Sequence, residues 1–227
     1  MKKLIAAMAL SLAGLAPAQA RDTAPVASAA VKPIDQLVAL LLPEDSLLAL
    51  GARAFDAGLT EELAKSPRSV ELHARHPGLK AHISAQVRPV LIKGMRAGLP
   101  ELRREMRAII AEGMTATEIA DSVTFFSSPT GEKVRTQVYA SVGDKPSQSE
   151  EQMKAAAMSA VMASLKAEDY PALIAFGASP AAAKMQSLNS KISAASRAWS
   201  KRIIDKHAPK LRVLAVKATA SYLKGRS

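Results

Sequence analysis

The chain has no cysteine among its 227 residues. That excludes disulfides, thiolate nucleophiles, thiolate metal sites and a lipid anchor on an N-terminal cysteine. Without cross-links, the fold must rest on its core, which a chain of this size can build. Aromatic residues are sparse, at four Phe, three Tyr and one Trp. No series of alternating β-branched residues suggests a sheet. After the N-terminal segment no uninterrupted apolar run reaches the roughly 18 residues a membrane-spanning helix needs. G-x-S-x-G, the phosphate-cradling P-loop and the dinucleotide G-x-G-x-x-G are also missing. No cofactor is expected, and no catalytic residues stand out.

What is present is rich in Ala, Leu, Met, Lys, Arg and Glu, the better helix formers. The expected fold is all-α, a compact helical bundle. Lys2 and Lys3 precede the uncharged apolar stretch from Leu4 to Leu15, and Ala18-Gln19-Ala20 follows as a small-x-small site. These are the parts of a secretory signal peptide over residues 1–20. An uncleaved single-span anchor is the alternative, but the apolar stretch is shorter than the roughly 20 residues a span requires. The expected location is therefore the bacterial periplasm or the exterior. Arg21 to Lys32, with Pro25 among small residues, reads as a flexible leader. Residues 33–227 read as one helical domain.

Prolines punctuate that domain, and a proline suits the first turn of one helix while ending the one before. Helices are expected over Pro33–Leu42 and Glu44–Ala57, with Gly58 as a stop. A short polar helix from Thr60 should end before Pro67. A helix over Pro77–Leu99, kinked at Pro89, carries Leu79, Ile83, Val87, Leu91 and Met95 as one buried stripe. Pro100–Glu112 follows as a separate amphipathic helix, closed by Gly113. Thr115-x-x-Glu118 is a capping box. Ser128-Pro129 starts another helix, Gly143 to Ser149 is a loop, and the helix from Ser149 should end before Tyr170-Pro171.

Shifted by 51 residues, the chain aligns with itself. Residues 114–134 (MTATEIADSVTFFSSPTGEKV) match 165–185 (LKAEDYPALIAFGASPAAAKM) at Ala116/Ala167, Phe125/Phe176, Ser128/Ser179, Pro129/Pro180 and Lys133/Lys184, with Glu118 opposite Asp169. Each copy reads as a helix, a Ser-Pro corner and another helix. Ser-Pro is a common helix start, and chance is the competing reading. The shared offsets of the aromatic, the acid and the lysine favour a duplication.

The first copy carries Glu118, Phe125, Phe126, Ser128, Pro129, Gly131 and Lys133. This acid–aromatic–Ser-Pro-x-Gly–Lys pattern resembles the signature of the bacterial family known as domain of unknown function 2059, over roughly residues 100–190. The second copy departs from it, with Gly177 for the second aromatic and Ala182 for the glycine. The resemblance implies an exported helical protein without an assigned activity, and it transfers no catalytic residue.

Two candidate sites remain. From Lys184 onward, eleven basic residues face one acid, Asp205, while the stretch between the signal and Lys184 is almost neutral. Ile192, Ala195, Trp199 and Ile203 lie near one helical face, and Leu211, Leu214, Ala218 and Tyr222 repeat this after Pro209. Lys191, Arg197, Trp199, Lys201, Arg202, Lys206, Lys210 and Arg212 are the candidate contacts to anionic lipid or to another envelope protein. The competing reading is two core helices that show their cations to water. Charge alone would also suit nucleic acid, but export argues against that partner. The second site is His73-x-x-His76 with Glu71 and His82, a possible metal centre or hydrolase site. Pro77 and Arg75 make a polar surface turn the competing reading.

Overall fold

The computed structural model describes residues 32–141 and 149–225. The expected signal peptide, the leader up to Val31 and residues 143–148 of the expected loop lie outside the described residues. Helix α1 (Pro33–Leu41) has its proline in the first turn, and Pro43 follows its end. Helix α2 (Glu44–Ala64) carries Glu44 and Asp45 in its first turn, where negative charge suits the dipole. The order continues with α3 (Pro67–Arg75), α4 (Leu79–Gly113), α5 (Ala116–Ser127), α6 (Pro129–Ser141) and α7 (Glu150–Ser164). A 3₁₀ turn (Ala167–Asp169), α8 (Tyr170–Gly177) and α9 (Pro180–Lys224) complete it. Among the described residues there is no strand, and the fold is all-α.

Three expected breaks are not breaks. Helix α2 runs through Gly58, which is buried. With Gly51 and Ala54, this glycine lies on the inner face of α2. A Cβ on Gly51 would meet Met95 of α4 at 2.3 Å, so glycine here permits close packing and is not a stop signal. Pro100 lies inside α4 and Pro209 inside α9, so each expected helix pair is one long rod. An internal proline costs about 3 kcal/mol because it orphans a carbonyl four residues back. Pro89, Pro100 and Pro209 are exposed, and so are Ala85, Arg96 and Asp205, whose carbonyls are released. Water can take those carbonyls, and the opposite faces of both helices stay buried. Residues 67–75 form a helix where the sequence suggested a polar turn, begun by Ser66-Pro67 and ended at His76 by Pro77. The helix from Glu150 ends at Ser164, earlier than expected.

Helices α4 and α9 run antiparallel as the spine. The expected stripe of α4 is buried from Leu79 to Met95 and continues through Leu99, Leu102, Met106 and Ile110. Small residues on α4 receive large ones from α9. A Cβ on Gly113 would strike Leu188 at 2.5 Å, on Gly98 it would strike Ile203 at 2.5 Å, and on Gly94 His207 at 2.4 Å. The opposite order of the two sets of numbers fixes the antiparallel register. Trp199 fills the middle of this seam at 1% exposure, and its indole N–H donates to Gly98 O at 2.9 Å.

The two helix–corner–helix units repeat the same bonds at the constant offset. Thr115 N–H donates to Glu118 Oε2 at 2.7 Å, and Lys166 N–H donates to Asp169 Oδ2 at 2.9 Å. Ser128 Oγ accepts from Gly131 N–H at 3.1 Å, and Ser179 Oγ accepts from Ala182 N–H at 3.2 Å. The equivalent aromatics Phe125 and Phe176 stack face to face, 4.0 Å between centroids and 2° from parallel. Phe126 packs edge-on against both.

Charge crosses between the units as well. Lys133 of the first unit holds Asp169 of the second, with Nζ 3.0 and 2.8 Å from its two oxygens. Thr130 Oγ1 adds a hydrogen bond at 2.9 Å. In the opposite direction Lys184 of the second unit helps hold the Glu118 carboxyl below its ordinary range, although the Thr115 backbone N–H is the larger cause. Asp169 is buried, and Lys133, followed by the Lys166 N–H, holds its carboxyl down to about 2.

A depressed carboxylate stabilises the fold above its unfolded value, and that contribution is lost as pH falls through the folded value. The Asp169 contribution should therefore be complete above about pH 4 and gone near pH 2. Asp169→Asn should lower the thermal midpoint at neutral pH. Its deficit relative to the parent chain should shrink across that acid window. Melting curves for both chains at several acid pH values check this, and a constant deficit would contradict it.

Candidate binding surface

Eight residues of α9 formed the expected basic face, and the structure divides them. Lys191 pairs with Glu112 of α4 at 3.3 Å, and Lys201 pairs with Asp205 one turn on. Arg202 bridges Glu101 at 3.1 Å and also reaches Glu105. Arg197 is exposed on the same half of the helix. Trp199 is not on this surface: it lies inside the seam with α4 and cannot touch a flat partner. The first half of α9 is thus a core helix in which Lys191 and Arg202 answer acids on α4 and Lys201 an acid of its own helix.

The second half differs. Among the described residues, no acid lies within salt-bridge distance of Lys206, Lys210, Arg212 or Lys217, and all four are exposed. Lys206, Lys210 and Lys217 recur at intervals of four and seven, which places them on one stripe of the helix. Exposed Val213 lies within the same stripe. Beyond Ile203, Ala218 alone among the described residues of α9 is fully buried. Leu211, Leu214 and Tyr222 are half-buried, as an amphipathic helix covered on only part of its inner face would be.

That incomplete cover has a geometric cause. Helices α2 and α9 both pack on α4 but scarcely touch each other. Between them lies a groove of about 690 Å³, within the span of ligand pockets. Phe55 and Leu59 form one wall, Val87 and Leu91 the floor, and Leu211 and Ala215 the other wall. The groove is lined by residues of the main core and of a smaller cluster built on Leu79, Ile83, Val87 and Ala218. The sequence concealed it because the α2 wall continues past Gly58, where a helix end was expected.

The histidines occupy the far end of the spine. His73 Nδ1 donates to Ser69 O of its own helix at 2.8 Å. His76 and His82 instead flank Tyr222 of α9, with ring centroids 6.2 and 5.4 Å away. Glu71 is exposed and pairs with Arg75 at 3.2 Å. Among the described residues no three His, Asp or Glu side chains gather closely enough to hold a metal ion. Aromatic contact at the α3–α4–α9 junction accounts for His76 and His82.

Among the described residues no helix is long and apolar enough to cross a membrane. Residues 100–168 match the model of a bacterial family described as "Uncharacterized protein conserved in bacteria", domain of unknown function 2059. The match spans the end of α4, the complete first corner unit and α7, and it stops within the 3₁₀ turn, one residue before Asp169. It ends before the second Ser-Pro corner and leaves the basic half of α9 outside. Searches of the curated proteins and of the solved structures each return no match.

Proposed function

We propose that this chain is an exported, non-enzymatic envelope protein that binds an anionic surface through the second half of α9. One observation carries the reading: Lys191, Lys201 and Arg202 in the first half of α9 are matched by acids, while Lys206, Lys210, Arg212 and Lys217 in the second half have no acid within salt-bridge distance among the described residues. Unmatched lysines at helical spacing beside half-covered apolar side chains suit an interfacial contact. Export rests on the Lys-Lys, apolar and Ala-x-Ala order of the first twenty residues, and periplasm or exterior is the proposed location.

Each lysine near an anionic bilayer contributes about 1 kcal/mol, and salt weakens it. The variant Lys206→Gln/Lys210→Gln/Lys217→Gln should therefore bind vesicles containing phosphatidylglycerol about 100-fold more weakly at low salt. Co-sedimentation at two salt concentrations measures this. Neutral phosphatidylcholine vesicles should bind neither chain. Equal sedimentation of the parent and the triple variant would reduce the basic stripe to a solvated face.

A further inference from the structure

We propose that the groove between α2, α4 and α9 holds the hydrocarbon chain of a single-chain anionic amphiphile, with Arg212 at its head group. The inference rests on the surface reading above, and it names what the same region of α9 would draw from that surface.

The groove's polar groups support the choice. Ser200 Oγ donates to Ser196 O at 2.8 Å, and Thr219 Oγ1 donates to Ala215 O at 2.9 Å. Glu62, the lining acid, is exposed and already paired with Lys65 at 2.8 Å. None of these hydrogen-bonded groups requires a polar ligand. Arg212 is the lining charge that has no acidic partner among the described residues. The groove therefore offers apolar walls for a chain and one cation for a negative head. A neutral apolar molecule would leave Arg212 unused, and a cationic one would be repelled by it.

The walls also tell against a full internal core. Val216 lines the groove and is 65% exposed, so its apolar surface faces open space. An aliphatic chain laid along the groove would cover it, at about 0.8 kcal/mol per buried methylene. Lys206, Lys210 and Lys217 on the same stretch of helix raise the local concentration of anions over roughly a Debye length of 8–10 Å. They supply attraction, and the groove supplies selection for chain length.

Calorimetric titration of the whole chain with dodecanoate, kept below micelle formation, tests the inference. One dodecanoate should bind per chain. Dodecyltrimethylammonium has the same tail and the opposite head, and should bind about 10-fold more weakly. Arg212→Glu should reverse that order. Ala208→Trp, at a half-buried wall position, should exclude about four methylenes and weaken dodecanoate about 100-fold. Val216→Glu, at an exposed wall position that the fold does not need, should weaken it in the same direction. Absence of saturable one-to-one binding, or unchanged affinity in both wall variants, would overturn the proposal. Equal affinity for the two heads, unaltered by Arg212→Glu, would overturn the role of Arg212. The vesicle assay separates the two claims. If Ala208→Trp and the parent chain sediment alike with anionic vesicles while neither binds dodecanoate, the surface reading stands and the groove reading fails.

Discussion

Adding one methyl group at residue 131 is expected to lower stability by about 3 kcal/mol or more, through overpacking that the backbone cannot relieve. A Cβ on Gly131 would lie 2.0 Å from Phe125 O and 2.7 Å from Phe126 Cα. Both are backbone atoms of the preceding helix, so no side chain can rotate away. The corner must open, and opening it withdraws Phe125 and Phe126 from Phe176. For a domain of this size, Gly131→Ala should lower the thermal midpoint by about 10 °C. The second corner provides the control. Ala182 already carries a Cβ at the equivalent position, with only 5% exposure. Ala182→Gly should cost only about 1 kcal/mol, the usual helical penalty of glycine. A parent-like midpoint for Gly131→Ala would mean that the first corner does not depend on this close approach.

A chain ending at residue 183 is expected not to fold at all. In the sequence the basic end stands apart by its charge alone, within what reads as a single helical domain. In the structure α9 is half of the spine. Its loss would remove Leu188, Ile192, Trp199 and Ile203 from the main core and strip the stripe of α4 from Leu91 to Ile110. Each large core side chain deleted costs about 2–5 kcal/mol. Four such losses together amount to about 8–20 kcal/mol, as much as the roughly 5–15 kcal/mol by which a whole domain is stable. Thermal unfolding followed by circular dichroism should show no cooperative transition for this truncation. A sharp transition near that of the complete chain would refute the role given to α9. The consequence for function is practical: the basic end must be tested by substituting charges, since deleting it destroys the scaffold that displays it.

Local chemistry was legible in the sequence, and long-range compensation was not. The Thr115–Glu118 capping box depends on four consecutive residues, and the structure has both of its hydrogen bonds. The corner at Ser128-Pro129 was equally local. The offset of 51 residues placed Phe125 opposite Phe176, but nothing in spacing alone revealed that the rings stack or that Lys133 reaches Asp169. Pro100, Pro209 and Gly58 were misread for one reason. Their local penalties are real, but burial on the opposite helix face outweighs them, and that burial comes from other helices distant in the sequence. The candidate surface divided in the same way. The sequence counted the cations of α9 correctly. It could not assign Glu101, Glu105 and Glu112 to the first half or see that Trp199 points inward.

The central claim is that unmatched charge on the second half of α9, rather than total basicity, makes the contact. The most direct measurement compares two charge-neutralised chains in the same anionic-vesicle assay at low salt. One carries Lys206→Gln, Lys210→Gln and Lys217→Gln, and the other Lys191→Gln, Lys201→Gln and Arg202→Gln. Both lose the same formal charge. The account predicts that the first loses about 100-fold in affinity while the second stays within about threefold of the parent chain. Equal losses in the two variants would show that net charge alone governs binding and would contradict it.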